Sequence, residues 1–421
     1  MLETKTYPNG LTLVVDNMAG YESVAFNMFV KVGSINEAPS EYGISHFIEH
    51  TLFKGTKKRS AYQISKLFDD LGASINAYTS FEETDFYFKC ASADVEPCTE
   101  AISDMLFNAT FDITELERER LVVMEEIKMY NDDPQSKVEY LANSKFYAKT
   151  PYCRDVGGTI SNVKALTRQK ILNYKNRYYV PQNIILSFAG KITLKTAEML
   201  VDKYFMPNFN GTKSQKLQQQ LYKIMPSQNY AKSFKDNEQS QVCVTFPGLY
   251  YSSKDIYVAK IFDVAFGAGM SSVLYQTVRE TLGLVYTISS STAFNYAGGD
   301  MTIYFATSNK NVKKALQAVA KEILNIKKAG ITKEQFDSAK NNLINKIKMS
   351  FESTSYVSLF NAKNISKFGK QITKQQYVSQ FEAVTYNDMI NYTKTLFLKN
   401  CYTVSVVGKN KNLELKKCFC L

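Results

Sequence analysis

Residues 43–56 read G-I-S-H-F-I-E-H-T-L-F-K-G-T, and His46 and His50 within this string are the two histidines of the whole 421-residue chain. From Tyr42 to Phe53 apolar residues recur at helical spacing (Ile44, Phe47, Ile48, Leu52, Phe53), and Gly55 supplies a stop. Four residues are nearly one helical turn and about 6 Å of rise, so both imidazoles leave the same face. Glu49, three residues after His46, shares it. Two nitrogen donors beside a carboxylate that can take a proton from water make the donor set of a zinc site, and the order H-x-x-E-H inverts the commoner H-E-x-x-H. A catalytic zinc takes three protein ligands, and without a third histidine the third must be Asp, Glu or Cys. The helical stretch from Leu116 to Tyr130 offers Glu119, Glu125 and Glu126. Glu119 and Glu126, seven apart, share one face, which suits Glu126 as ligand and Glu119 as the acid supporting it. Spacing leaves Glu125 open in place of Glu126.

Around this string the chain alternates strand-like and helix-like runs. Leu11 to Val15 and Val24 to Val32 are strand candidates, Ile64 to Leu71 is a helix closed by Gly72, and Ser74 to Thr79 and Thr84 to Cys90 are strands. Two long helical patterns follow, Val95 to Ala109 and Ile113 to Tyr130. The polar segment Asn210 to Ser233, with Gln218, Gln219, Gln220 and Pro226, reads as a linker. After it the order repeats: strand Val242 to Phe246, helices Asp255 to Phe266 and Ser272 to Leu282, strands Tyr286 to Ser291 and Met301 to Thr307, then two long helices. The expected fold is α+β, with two homologous domains, 1–220 and 221–421, each a mainly antiparallel sheet covered by helices.

Length and an apolar fraction of 45% allow two cores of ordinary size. No apolar run reaches the 18 or more residues of a membrane span, and the N-terminus lacks the pattern of a secretory signal. A cytoplasmic protein of bacterial type is expected, with an organelle as the alternative. Seven scattered cysteines, an odd number, read as free thiols. The net charge of +11 is unevenly spread: residues 1–210 hold 27 acidic and 23 basic side chains, residues 211–421 hold 13 and 28. The lysines of the second half lie in helix-like stretches such as Lys310 to Lys328, as on a solvated face, and no nucleic-acid-binding motif accompanies them. Neither nucleic acid nor membrane is expected as a partner. The C-terminal Cys418-Phe419-Cys420-Leu421 has the length of a prenylation signal without two aliphatic middle positions, and reads as an ordinary tail.

Five strings together resemble the pitrilysin family of metallopeptidases, in its branch of mitochondrial processing peptidase and bacterial relatives. They are residues 43–56, N-A-Y-T-S from Asn76, E-R-E-R-L-V-V-M-E-E-I from Glu117, and G-A-G-M-S-S from Gly267 followed by R-E-T-L-G-L-V-Y from Arg279. The resemblance implies Glu126 as the third zinc ligand, Glu119 as its supporting acid, and Glu49 as the residue that activates water for peptide-bond hydrolysis. It also implies that Asn76, Ala77, Tyr78 and Thr79 bind an unfolded peptide as an added β-strand. Arg279 and Tyr286 match a pair that contacts the substrate backbone across a clamshell. In chains of this length that pair comes from a partner subunit, so a homodimer is implied, or a heterodimer with a related chain. The second half has no H-x-x-E-H string, so one zinc per chain is expected. The family also contains non-catalytic scaffold subunits, whose metal motifs are usually damaged; here His46, Glu49, His50 and Glu126 are all present. Residues 1–139 carry 24 acidic against 12 basic side chains, which favours basic peptides as substrates.

Overall fold

The computed structural model describes residues 1–209, 217, 222, 224, 228–296 and 298–421. Six strands form the first sheet: β1 (Leu2–Thr6), β2 (Thr12–Asn17), β3 (Ser23–Val30), β4 (Ser74–Thr79), β5 (Thr84–Ala91) and β6 (Ile184–Gly190). They lie in the order β1-β2-β6-β3-β5-β4. The uniformly apolar runs of β3 and β6 are explained by this order, because central strands are covered on both faces. On one face Phe26 stacks on Phe88 at 5.0 Å and meets Phe188 at 4.6 Å, at the centre of the main core. On the other, Val14, Phe29 and Ile185 pack against Ala362 of the helix Thr354–Phe368. Ser187 and Ser358 fix that helix to β6 by two reciprocal bonds, each hydroxyl donating to the other's carbonyl oxygen at 2.8 Å.

The second sheet is built from β7 (Asn229–Phe234), β8 (Gln239–Pro247), β9 (Thr287–Ala293), β10 (Asp300–Ser308) and β11 (Thr403–Gly408), in the order β7-β11-β8-β10-β9. Leaving β1 aside, the two sheets have one topology: a parallel pair followed by three antiparallel steps. The expected duplication of an α+β unit is therefore present in the strand pairing itself. Each half of the chain also lends a helix to the other's sheet. Pro134–Phe146 packs Val138 and Ala142 on Cys243 and Val407 of the second sheet, while Thr354–Phe368 lies on the first. The two compact units are accordingly Met1–Lys128, Arg154–Gln218 with Met349–Thr373, and Met129–Cys153, Gln219–Lys348 with Lys374–Leu421.

Three local expectations differ from the structure. Leu2–Thr6 forms an additional edge strand before the first one expected, drawn in by antiparallel pairing with β2 that leaves little trace in a short polar sequence. The linker expected over Asn210 to Ser233 ends earlier, since Asn229–Phe234 pairs in parallel with β11. Most of the remainder of that segment, including residue 220 and the glutamine run, lies outside the described residues. The helix expected over Ser272 to Leu282 is shorter and wider: Tyr275–Thr281 winds as a π-helix, with the Leu282 amide donating to the Thr277 carbonyl oxygen five residues back at 3.0 Å. Among the described residues no helix is long and apolar enough to cross a membrane.

Candidate metal centre

The helix carrying both histidines spans Ile44–Leu52 and is held by what it buries and by how it starts. Ile44, Phe47, Ile48 and Leu52 enter the main core, which turns His46, Glu49 and His50 to the opposite side. Its first turn presents unpaired amides, and Glu37 satisfies two of them, accepting from Gly43 at 2.8 Å and Ser45 at 2.9 Å. Gly43 sits at φ +86, and a Cβ there would come 2.5 Å from the Gly157 carbonyl oxygen, so no other residue fits. Ser45 and Tyr174 tie the same turn to the helix Arg168–Tyr178 through a hydroxyl pair at 2.8 Å.

Burial pushes the Glu37 carboxyl up to about 7 against the two backbone donors and Arg154, which favour its charged form. It therefore stays protonated to higher pH in the folded chain than in the unfolded one, where 4.5 applies. Its contribution to stability is complete below the unfolded value and is lost as pH rises through the folded one. Relative to Glu37→Gln, the wild-type chain should lose on the order of 3 kcal/mol of stability between pH 4.5 and 7.5. Thermal unfolding of both proteins across that range checks this; parallel profiles would contradict it.

Three donors converge beside the helix. The Nε2 atoms of His46 and His50 lie 3.2 Å apart, and Glu126 Oε2 is 3.7 Å from the first and 3.3 Å from the second. Zinc bound at about 2.1 Å to tetrahedral ligands requires donor separations of about 3.4 Å, so these three atoms form one face of such a tetrahedron and leave the fourth corner open. Among the described residues, His46, His50 and Glu126 form the one cluster of this kind. By donor type and spacing the site fits a zinc ion of the catalytic class.

The helix Ile113–Asp132 supplies both acids. Glu125 turns to solvent and pairs with Lys128 at 2.6 Å, whereas Glu126 faces the imidazoles. Glu119, one heptad earlier, accepts from His50 Nδ1 at 2.9 Å and pairs with Lys54 at 2.8 Å. Burial would raise the Glu119 carboxyl, but His50 and Lys54 outweigh it and hold the group below its usual value. Burial likewise works against a charged His50, yet Glu119, Glu126 and Glu49 carry it up to about 9. His46 goes the other way, to about 4, through burial and the neighbouring His50, with Glu126 opposing. The net effect of the three carboxylates is a pocket that attracts a cation.

Because Glu119 fixes the His50 ring through Nδ1 and frees Nε2 for the cluster, Glu119→Gln should weaken zinc binding roughly 10- to 100-fold. Competition against a chelating dye measures this, and unchanged affinity would mean that Glu119 does not support the metal site.

Glu49 stands beside the cluster without joining it. Its Oε2 accepts from the Thr79 hydroxyl at 2.7 Å, and burial, with Glu126, raises its carboxyl while Thr79 and His50 oppose. Thr79 ends β4, the outer strand of the first sheet, so the edge formed by Asn76, Ala77, Tyr78 and Thr79 runs up to Glu49. In the second unit Arg279 and Tyr286 are brought together: Arg279 Nε donates to the Tyr286 carbonyl oxygen at 2.8 Å, its guanidinium lies over the Tyr275 ring at 4.6 Å, and the Tyr286 side chain is exposed. Glu37, Lys54 and Tyr174 are structural participants that reading the sequence did not single out. Lys54 lies inside the opening string, while Glu37 acts on backbone amides six and eight residues away and leaves no side-chain pattern to find.

Residues 12–160 match the family model described as Insulinase (Peptidase family M16), and residues 165–343 match the one described as Peptidase M16 inactive domain. An uncharacterized zinc protease, YmxG, of Bacillus subtilis is 30% identical over 98% of this chain and 100% of its own length. One from Rickettsia bellii is 30% identical over 96% of both. Among solved structures, a protease from Helicobacter pylori superimposes with a TM-score of 0.89 at 22% identity, covering 97% of this chain and 99% of that one. A structure from Pseudomonas fluorescens titled peptidase M16 inactive domain gives 0.88 at 15% identity, over 97% and 98%.

Proposed function

The chain belongs to peptidase family M16, and from that premise we propose that it is a zinc metalloendopeptidase acting on short or unfolded peptides. The observation that carries this reading is the convergence of His46, His50 and Glu126 on one point with Glu49 beside it. A zinc ion held by those three residues supplies a Lewis acid that polarises a carbonyl oxygen and acidifies water. Glu49 takes the proton of the attacking water and delivers it to the leaving amine. Thr79 positions Glu49 from the strand along which the substrate lies, so the base and the extended peptide share one frame. Residues Asn76 to Thr79 of β4 pair with the substrate backbone, which holds a peptide with little regard for its side chains.

In this reading residues 1–220, less the exchanged helix Pro134–Phe146, form the catalytic domain with one zinc, and residues 221–421, less Thr354–Phe368, the homologous partner domain. Arg279 and Tyr286 act on the substrate carbonyl from a second copy of the chain, as in the processing-peptidase-like branch that the sequence resembles. The intact donor set argues against the scaffold role known in the family. The test is cleavage of a quenched extended peptide by the purified chain, with light scattering at assay concentration. Cleavage should vanish with a chelator, return with zinc, and belong to a dimer. A fully active monomer would sink the shared site; zinc uptake with no cleavage of any peptide would return the scaffold reading.

A further inference from the structure

Successive residues of β4 point to opposite faces of the sheet, so while Thr79 reaches Glu49, Tyr78 faces the helix Thr354–Phe368. On that face a cavity of about 310 Å³ opens within the first unit, lined among others by Asn27, Tyr78, Asp85, Tyr87, Tyr356 and Leu359. Its floor is unusual for a sheet interior. Asp85, on β5 beside β4, is fully buried; Oδ2 accepts from Asn27 Nδ2 at 2.6 Å, and Oδ1 has no hydrogen-bond partner. The buried hydroxyl of Tyr78, directly across the strand pair, has none either. Lys363, on the covering helix, lies over the Tyr78 ring, 5.5 Å from its centroid, and pairs with Glu83 at 3.3 Å instead of with Asp85. A buried carboxyl oxygen and a buried hydroxyl left unsatisfied beside open space call for a polar partner from outside the chain.

We propose that this cavity receives the side chain of a lysine in the bound peptide, its ammonium group closing on Asp85 and the Tyr78 hydroxyl. The inference rests on the reading of β4 as the strand that the peptide extends. An added strand lies two strand spacings from β5, roughly 9.6 Å. An extended lysine carries its Nζ about 6 Å from Cα, and the aspartate side chain with one hydrogen bond covers the remainder. Shorter or apolar side chains on the same face leave Asp85 unsatisfied. The rings of Tyr78 and Tyr87, with centroids 6.5 Å apart, offer walls for the methylene stem and π-faces for the charge. Burial holds the Asp85 carboxyl up near 8 despite Asn27 and Lys363, with Glu83 adding to the rise, so without a peptide it is a neutral acid near pH 7, and an ammonium group brought beside it draws it to the charged form. The acidic excess of residues 1–139 favours the same class of peptide.

The experiment scans one quenched peptide with lysine, norleucine or glutamate at each position in turn, using the full-length wild-type chain and Asp85→Asn. At one position kcat/KM for lysine should exceed that for norleucine by at least about tenfold, mainly through KM, with glutamate slower still. The lysine-to-norleucine ratio should fall to about one in Asp85→Asn. Equal rates for lysine and norleucine at every position of the wild type overturn the proposal without any variant, as does a preference that survives in Asp85→Asn. If no peptide is cleaved, the peptidase reading fails on its own account, and n-butylammonium followed by NMR decides the pocket. Binding to wild type that is lost in Asp85→Asn upholds the amine chemistry; no binding to wild type removes it.

Discussion

Glu49→Gln should keep its zinc and lose about a thousandfold in kcat, the scale on which a positioned general base contributes. Glu49 stands beside the donor cluster and outside it. His46, His50 and Glu126 present their donor atoms to one another, while Glu49 is held by Thr79. The amide of glutamine has nearly the volume of the carboxylate and can still accept the Thr79 hydroxyl, so the helix and the metal donors are undisturbed. What it lacks is basicity. Zinc content by mass spectrometry and single-turnover cleavage of one peptide separate these effects. Loss of zinc from Glu49→Gln would make Glu49 a ligand, and full activity would mean that another group takes the proton.

Glu126→Gln and Glu125→Gln should differ sharply although the residues are neighbours in the sequence. Glu126 Oε2 lies within 3.7 Å of both imidazole nitrogens, and replacing it removes the only anionic donor of the three. Zinc affinity should fall by at least about a hundredfold, more than for the loss of an outer partner such as Glu119, and peptide cleavage with it. Glu125 reaches only Lys128 and solvent among the contacts described for it, so Glu125→Gln should bind zinc as wild type does and shift stability by no more than about 0.5 kcal/mol. Comparable losses in both variants would mean that the acidic helix does not turn Glu126 alone toward the imidazoles.

The opening string was legible because its information is local. Two histidines at one helical turn, an acid between them and apolar residues on the other side require nothing distant to be recognised. Choosing between Glu125 and Glu126 was different: both fall in one helical run, and only their rotation relative to a helix some 70 residues earlier decides which faces the imidazoles. The family resemblance pointed to Glu126, and the distances place Glu126 with the histidines. The repeated order of strands and helices was readable as a duplication, because buried strands and amphipathic helices carry their period in the sequence.

The destination of a helix is not written in that way. An apolar stripe on Pro134–Phe146 or Thr354–Phe368 says that the helix is covered, and gives no sign that each lies on the sheet of the other half. Asn229–Phe234 was hidden by its polar composition, since its place comes from backbone pairing to β11. Glu37 was hidden for a related reason: it acts on amides that every residue possesses. Asp85 could be seen only as one polar residue of β5, beside Thr84 and Lys89, and its meaning depends on the cavity that the covering helix leaves beside it.

The most direct test of the central claim is a zinc-soaked crystal of the wild-type chain, measured on both sides of the zinc absorption edge. One anomalous peak per chain should appear, only above the edge, enclosed by His46 Nε2, His50 Nε2 and Glu126 Oε2, with Glu49 next to its open side. A peak at another cluster, or none in a crystal where those side chains are ordered, would contradict it.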